Sequence, residues 1–169
     1  MVLIWVVTSI LSLNSPSLFD NYRQKIRKDV ANTFAVSRES SEFRRIKDIK
    51  EIESYSISIN DSIIGNLFLK EVRACNLNGC QVISKDEETK EDGEYFDLMV
   101  MTNQKREIKF MRVLDYFSEF GYEVCHKSYL KQFYGHFLCS KENQKVDAIS
   151  GATVSSNAII NSLADFCNL

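Results

Sequence analysis

The chain has 169 residues, 44% of them apolar, with a net charge of −2 and a pI near 5.8. This length and apolar content suit one compact domain with a short N-terminal extension rather than two domains. Mild acidity, without a basic stripe interleaved with aromatic residues, argues against nucleic acid as a partner. No glycine-rich phosphate loop of the Rossmann or P-loop kind is present in the sequence.

The chain opens with an uncharged and mostly apolar run, Val2–Leu13. A spanning helix needs about 20 such residues, so the run is closer to the apolar region of a signal peptide, with Ser15 and Ser17 as candidate cleavage-site residues. We therefore expect residues 1–17 to be a signal peptide or short anchor, and the rest to be extracytoplasmic, in the periplasm or cell envelope. Two alternatives stay open. Basic residues follow the run, which for an uncleaved anchor favours the opposite orientation, and the run also suits a buried strand or helix.

Residues 18–53 are predicted to form a helical extension. From Asp20 to about Phe34 apolar residues recur at helical spacing with basic residues between them, which predicts a surface helix. Its charges are interpreted as a solvated face, with a role near anionic lipids as the alternative. A second, more polar helix is predicted at about Arg38 to Ile52.

From Tyr55 onward the apolar residues alternate with polar ones, which is typical of strands. The pattern predicts a hairpin that turns at Asn60 and Asp61, and a second turn near Asn103. The predicted strand segments are, in chain order, 55–59, 63–69, 95–101 and 108–114. Consecutive strands followed by helices predict a single α+β domain over residues 54–169, mainly an antiparallel sheet flanked by helices.

The five cysteines divide into one close pair and three scattered residues. Cys75 and Cys80 flank Asn-Leu-Asn-Gly, a tight-turn signal that would bring the two sulfurs together. In an exported protein this favours a local disulfide, with free thiols or a metal or redox pair as alternatives. The other three are interpreted as small buried apolar residues: Cys125, Cys139 and Cys167. No metal site is expected, because no second Cys or His pair has suitable spacing.

The segment Asp147–Ser156 leads from an acidic residue through small and hydroxylated residues into an apolar-periodic helix, Ala158–Phe166. A helix start leaves several N–H groups without helical partners and carries the positive end of the macrodipole, so it stabilises a phosphate. Small residues leave the backbone accessible there, and Thr153 offers a hydroxyl. The alternative is that Ser150 or Thr153 is only an N-cap.

The string Asp-x-x-Ser-Gly-Ala-Thr-x-Ser-Ser resembles the flavinylation motif of the FMN-binding domain family. That family includes the small subunits of sodium-pumping NADH:quinone reductase and Rnf-type complexes, and stand-alone exported flavoproteins. Three upstream segments resemble the family's strand, Gly-containing loop and short helix: 113–116, 121–124 and 129–135. The resemblance covers roughly residues 55–169, and the Cys75 and Cys80 pair also resembles one in stand-alone members.

The resemblance implies that a separate magnesium-dependent flavin transferase esterifies FMN to Thr153. Asp147 would serve transferase recognition or fix the turn, and Ser150 would shape that turn. Tyr122 would offer a ring face to the flavin, or is an ordinary core or surface tyrosine. The full set of expected cofactor-binding residues is Asp147, Ser150, Gly151, Ala152, Thr153, Ser155, Gly121 and Tyr122.

The sequence contains no identifiable general acid, base or nucleophile pair around the motif, and flavin itself supplies one- and two-electron chemistry. The resemblance therefore favours an exported electron carrier over a stand-alone enzyme. It would relay electrons between a membrane-bound redox partner and an extracytoplasmic acceptor, with membrane association through its N-terminus. Two rivals remain: a small flavin-dependent reductase with its own substrate, and a non-redox interaction module that retains the fold.

Overall fold

A computed structural model of the chain describes residues 16–49, 51–74, 94–117, 121–147 and 149–169. Helix α1 (Leu18–Phe34) precedes a five-stranded sheet, and helices α2 (Lys127–Leu130) and α3 (Thr153–Cys167) follow it. The strands are β1 (Glu42–Ile49), β2 (Ile52–Ile59), β3 (Ser62–Ala74), β4 (Glu94–Asn103) and β5 (Ile108–Tyr116). They lie in sequence order and each pair is antiparallel. The predicted α+β class is confirmed.

The two predicted turns are confirmed. Asn60 and Asp61 both have positive φ, 48° and 63°, which suits the tight connection between β2 and β3. At the second turn the Asn103 side-chain oxygen accepts hydrogen bonds from the backbone N–H of Lys105 and Glu107, each at 3.0 Å. Local side-chain bonds of this kind are typical of Asn in turns.

The predicted second helix at about Arg38 to Ile52 is wrong, because this segment forms strand β1 at the edge of the sheet. Phe43, Ile46 and Ile49 recur every three residues, which imitates a helical face. In the structure the pairing of β1 with β2 shifts register between Arg45 and Lys47, and Ile46 is 58% exposed. A β-bulge adds one residue and resets the alternation, so the strand pattern is hidden in the sequence.

Helix α1 covers one face of the sheet. The Ser17 hydroxyl caps its start by accepting a bond from Asp20 N–H at 3.1 Å, and Glu53 accepts from Leu18 N–H at 2.7 Å. Asp29 of this helix forms an ion pair with Arg112 of β5 at 2.9 Å. The buried apolar residues on this face are Phe19, Ile26, Val30, Tyr55, Ile57, Leu67, Leu69, Met99, Met101 and Leu114. The helix predicted from Asp20 is thus confirmed, with its start at Leu18.

Helix α3 and the short helical turns cover the opposite face. Ile159, Leu163 and Phe166 recur at helical spacing and are fully or almost fully buried against the sheet. The Phe166 ring stacks on Phe68 of β3 with centroids 5.4 Å apart. Arg106 donates to the Phe166 carbonyl oxygen at 2.8 Å, which satisfies a free acceptor at the end of α3. The C-terminal half of α3 is therefore fixed over the sheet.

Cys139, in the connection between α2 and α3, forms a disulfide with Cys167, the last residue of α3. Their interpretation as small buried apolar residues is wrong, and Cys139 is in fact exposed. The partners lie 28 residues apart, and no local turn signal links them. Cys75 and Cys80 lie outside the described residues, as does the run Val2–Leu13. Among the helices that are described, none is long and apolar enough to span a bilayer.

The disulfide should contribute measurably to stability. A closed loop of this length removes denatured-state entropy worth about 3–4 kcal/mol. We expect the double variant Cys139→Ser/Cys167→Ser to lose about that much unfolding free energy in urea titration. Non-reducing peptide mapping of the wild type should recover both residues in one linked fragment, and free alkylation of both in native protein would contradict the pairing.

Candidate functional site

The first turn of α3 is open to solvent at its N-terminus. The N-cap residue is Ala152, and among the described residues no side chain caps this helix. The first helical hydrogen bond runs from Ser156 N–H to the Ala152 carbonyl oxygen at 2.9 Å. The N–H groups of Thr153, Val154 and Ser155 precede that bond and have no helical acceptor. The alternative in which Ser150 or Thr153 is merely an N-cap is therefore wrong.

The turn before α3 divides buried from exposed positions sharply. Ala152 is 2% exposed and packs in the core beneath α3, whereas Gly151 and Thr153 on either side of it are exposed. Gly151 has φ of 87° and no atom within 4 Å of a built Cβ position. The backbone beside the Thr153 hydroxyl is therefore free of obstruction, so a bulky group or another protein can approach it.

Asp147 and Ser150 lie on the approach to this turn, and both are exposed. Asp147 is held through its backbone N–H, which donates to the side-chain oxygen of Gln132 at 3.3 Å. The Asp147 carboxylate does not cap α3. An open depression of about 310 Å³ adjoins this segment, lined by Gln132, His136, Glu142, Lys145 and Val146.

Gly121 and Ser155, separated by 34 residues, meet at the first turn of α3. Gly121 is buried with φ of 78°, and a Cβ atom there would lie 2.5 Å from Ser155 Oγ and 2.8 Å from Tyr116 Oη. The two hydroxyl oxygens are themselves 3.1 Å apart, within hydrogen-bond distance. The loop after β5 is thus packed directly against the helix start, with no room for a larger residue than glycine.

Two exposed apolar side chains flank this contact. Tyr122 follows Gly121 and is 55% exposed, and Val154 precedes Ser155 and is 42% exposed. The Tyr122 ring lies edge-on to His126 with centroids 6.2 Å apart. Tyr122 is therefore a surface tyrosine beside the helix start, with one part of its ring available to a ligand.

The family model of the FMN-binding domain matches residues 73–168, which is more than half of the chain. The chain belongs to the FMN-binding domain family. The match includes β4, β5, the loop at Gly121 and all but the last residue of the described C-terminal segment. The protein is accordingly a flavin-binding protein with FMN as its cofactor. A comparison with curated proteins gives no match.

The observed site fits the phosphate end of this FMN-binding domain's cofactor. Three N–H donors at the start of α3 and the helix dipole suit an anion, and Gly151 leaves the space beside them empty. Beneath the turn, the Ser156 and Tyr129 hydroxyl oxygens are buried without a well-formed hydrogen-bond partner among the described residues. Burial raises the pKa of Tyr129, so its phenol stays protonated. Of the expected set, Gly121 is packed against Ser155; Gly151, Ala152 and Thr153 lie in the same turn as Ser155; and Tyr122 follows Gly121 on the surface.

One residue at this site of the FMN-binding domain was assigned no role from the sequence pattern. Tyr116 ends β5, and its hydroxyl contacts Ser155. Its only sequence signal is its place in the segment 113–116, which resembles the family's strand. The contact joins residues 39 positions apart, so periodicity along the chain cannot reveal it.

Replacing Gly121 tests the close contact. We expect Gly121→Ala to lower the free energy of unfolding by about 2–4 kcal/mol, since the new methyl group meets two hydroxyl oxygens in addition to left-handed strain. Gly135→Ala is the matched control, because Gly135 has φ of 86° with no atom within 4 Å of its Cβ position. Gly135→Ala should lower the free energy of unfolding by only about 1 kcal/mol. Equal losses in urea titration would show that the contact is not tight.

Cys125 offers a test of the loop's burial. The structure leaves this thiol free and half-buried, and burial, followed by the Glu123 carboxylate, raises its pKa to about 11. The reactive thiolate is therefore scarce at neutral pH. Alkylation of native protein at about pH 7 should be at least roughly tenfold slower than that of free cysteine, and should accelerate steadily toward pH 9. A rate equal to that of free cysteine, or flat with pH, would contradict this environment.

Proposed function

We propose that the protein is an extracytoplasmic electron-transfer flavoprotein whose FMN is linked by a phosphodiester to Thr153. It relays electrons between a membrane-bound redox partner and an extracytoplasmic acceptor. A magnesium-dependent flavin transferase installs the cofactor. The observation that carries this proposal is the exposed hydroxyl of Thr153 at an uncapped helix start, in a chain that belongs to the FMN-binding domain family.

The electrostatics of the helix start support the linkage. Esterification removes the second ionisation of the FMN phosphate, which lies near pH 6, and leaves one negative charge. The N–H groups of Val154 and Ser155 and the helix dipole stabilise one such charge without an arginine. The segment from Asp147 to Ser156 indeed contains no Lys or Arg.

The linkage requires an activated donor. Joining the Thr153 Oγ to the phosphorus of FMN releases the hydroxyl proton, and the bond that breaks is the phosphoanhydride of a flavin dinucleotide. The nucleoside monophosphate leaves, and a base of the transferase takes the proton. No side chain of this chain is needed as acid or base, and the exposed turn around Gly151 admits the transferase.

Once bound, the flavin supplies one- and two-electron chemistry, and the chain determines access and orientation. Tyr122 and Val154 flank the Thr153 turn and remain substantially exposed, so they offer apolar surface to an isoalloxazine ring. A tether makes the cofactor effectively intramolecular, so it does not diffuse away in a dilute compartment. These features suit a carrier that meets its partners at an accessible flavin edge.

Two features support an extracytoplasmic compartment. The run Val2–Leu13 has the length and composition of a signal-peptide apolar region. The Cys139–Cys167 disulfide is of a kind that persists in oxidising compartments and is rare in the cytosol. Retention of the apolar run as an anchor would keep the carrier near a membrane-bound redox partner.

Substitution of Thr153 tests the attachment site. Beside an active transferase, the wild type should gain the mass of one FMN less one water, and Thr153→Ala should gain none. The variant should remain folded, because an exposed residue that makes no cap contributes within about ±0.5 kcal/mol. Thr153→Ser keeps the hydroxyl and should retain partial labelling. Intact mass and thermal unfolding measure both properties.

Ser150→Ala is the matched control, since it removes a neighbouring exposed hydroxyl that is not the acceptor. Its labelling should fall far less than that of Thr153→Ala, because the acceptor hydroxyl remains. An adduct on Thr153→Ala that maps to Ser155 or Ser156 would contradict the site, and a wild type that never gains the mass would contradict the carrier. Turnover of a dedicated substrate by the isolated flavinylated protein would instead favour a reductase.

A further inference from the structure

The Tyr116 side chain is fixed at the end of β5 by packing and by a hydroxyl contact. Its ring stacks on Phe96 of β4 with centroids 5.5 Å apart and interplanar angle 17°. Phe96 is fully buried, so the ring is held against the core. The Tyr116 hydroxyl thereby has a defined position, 3.1 Å from Ser155 Oγ.

Ser155 transmits this contact to the helix start. It is 1% exposed and is the third residue of α3, two residues after the Thr153 hydroxyl. Gly121 closes the remaining side, because its built Cβ position would lie 2.5 Å from Ser155 Oγ. A seryl side chain enclosed by a rigid tyrosine and a glycine backbone has little freedom, and the same holds for the short turn that carries it.

We propose that Tyr116 is a positioning residue for flavinylation. Through Ser155 it fixes the first turn of α3, and with it the exposed Thr153 residue and the N–H groups beside it that would hold a phosphate. Tyr116 does not contact the reacting atoms. The inference rests on the proposed attachment at Thr153, but its structural part concerns the unmodified protein and can be tested without FMN.

Hydrogen exchange in the unflavinylated protein tests the structural part. Tyr116→Phe removes the hydroxyl and keeps the ring, so the core contact with Phe96 survives. We expect exchange at the Ser156 amide, which makes the first helical bond of α3, to accelerate roughly three- to tenfold. Amides near Leu163 should be unchanged. Tyr134→Phe is the matched control, since its hydroxyl contacts only the Met111 backbone, at 3.4 Å, among the described residues.

Initial rates of FMN incorporation test the functional part. With a fixed transferase and flavin dinucleotide, Tyr116→Phe and Ser155→Ala should each lower kcat roughly three- to tenfold, with the KM for the acceptor protein little changed. The double variant should be no slower than the slower single variant, because both remove the same contact. Tyr134→Phe should label at the wild-type rate, and the thermal midpoints should stay close to wild type.

Three results would overturn the proposal. The first is an unchanged exchange rate of the Ser156 amide in Tyr116→Phe. The second is a labelling rate of Tyr116→Phe that equals or exceeds that of the wild type. The third is a double variant in which the two reductions in labelling rate multiply. A faster rate would mean that the transferase needs the turn released rather than held. If the wild type is never labelled, the proposed function fails, and the exchange measurement alone still decides whether Tyr116 fixes the turn.

Discussion

The site depends on how α3 is fixed over the sheet. Its C-terminal half packs through Ile159, Leu163 and Phe166, accepts a hydrogen bond from Arg106 at the Phe166 carbonyl, and ends in a disulfide to Cys139. These contacts lie at the opposite end of the helix from its first turn, which no described side chain caps. The N–H groups left at this helix start are the donors that the proposed phosphate attachment requires.

Burial changes sharply along the turn that leads into α3. Ala152 is inside the core, and Thr153 is outside it. Ser155 and Ser156 return to the interior, where the first contacts Tyr116 and the second lies beneath the turn. A motif of small and hydroxylated residues is therefore required for two reasons. Its small residues allow close packing against the sheet and leave the backbone accessible, and its hydroxyls suit the proposed attachment at Thr153 and the proposed positioning contact at Ser155.

Local chemistry explains what could be predicted from the sequence. The hairpin at Asn60 and Asp61 could be predicted from its turn residues and from the alternation of apolar and polar residues on either side. The turn at Thr153 could be predicted from its string of small and hydroxylated residues. Strand β1 was missed because a bulge at Ile46 gave its apolar residues a helical spacing. The Cys139–Cys167 disulfide and the Tyr116–Ser155 contact join residues 28 and 39 positions apart, and a single sequence carries no signal for such pairings.

The proposed phosphodiester joins FMN to Thr153 at the open start of α3. Phosphorus NMR of the flavinylated protein, unfolded in denaturant and freed of loose flavin, tests this most directly. A phosphodiester has no second ionisation, so the proposed linkage predicts a phosphorus signal whose chemical shift stays constant between about pH 5 and pH 8. Retained flavin whose shift titrates near pH 6 would show a free phosphomonoester, and flavin lost on unfolding would show non-covalent binding; either result would contradict the phosphodiester at Thr153.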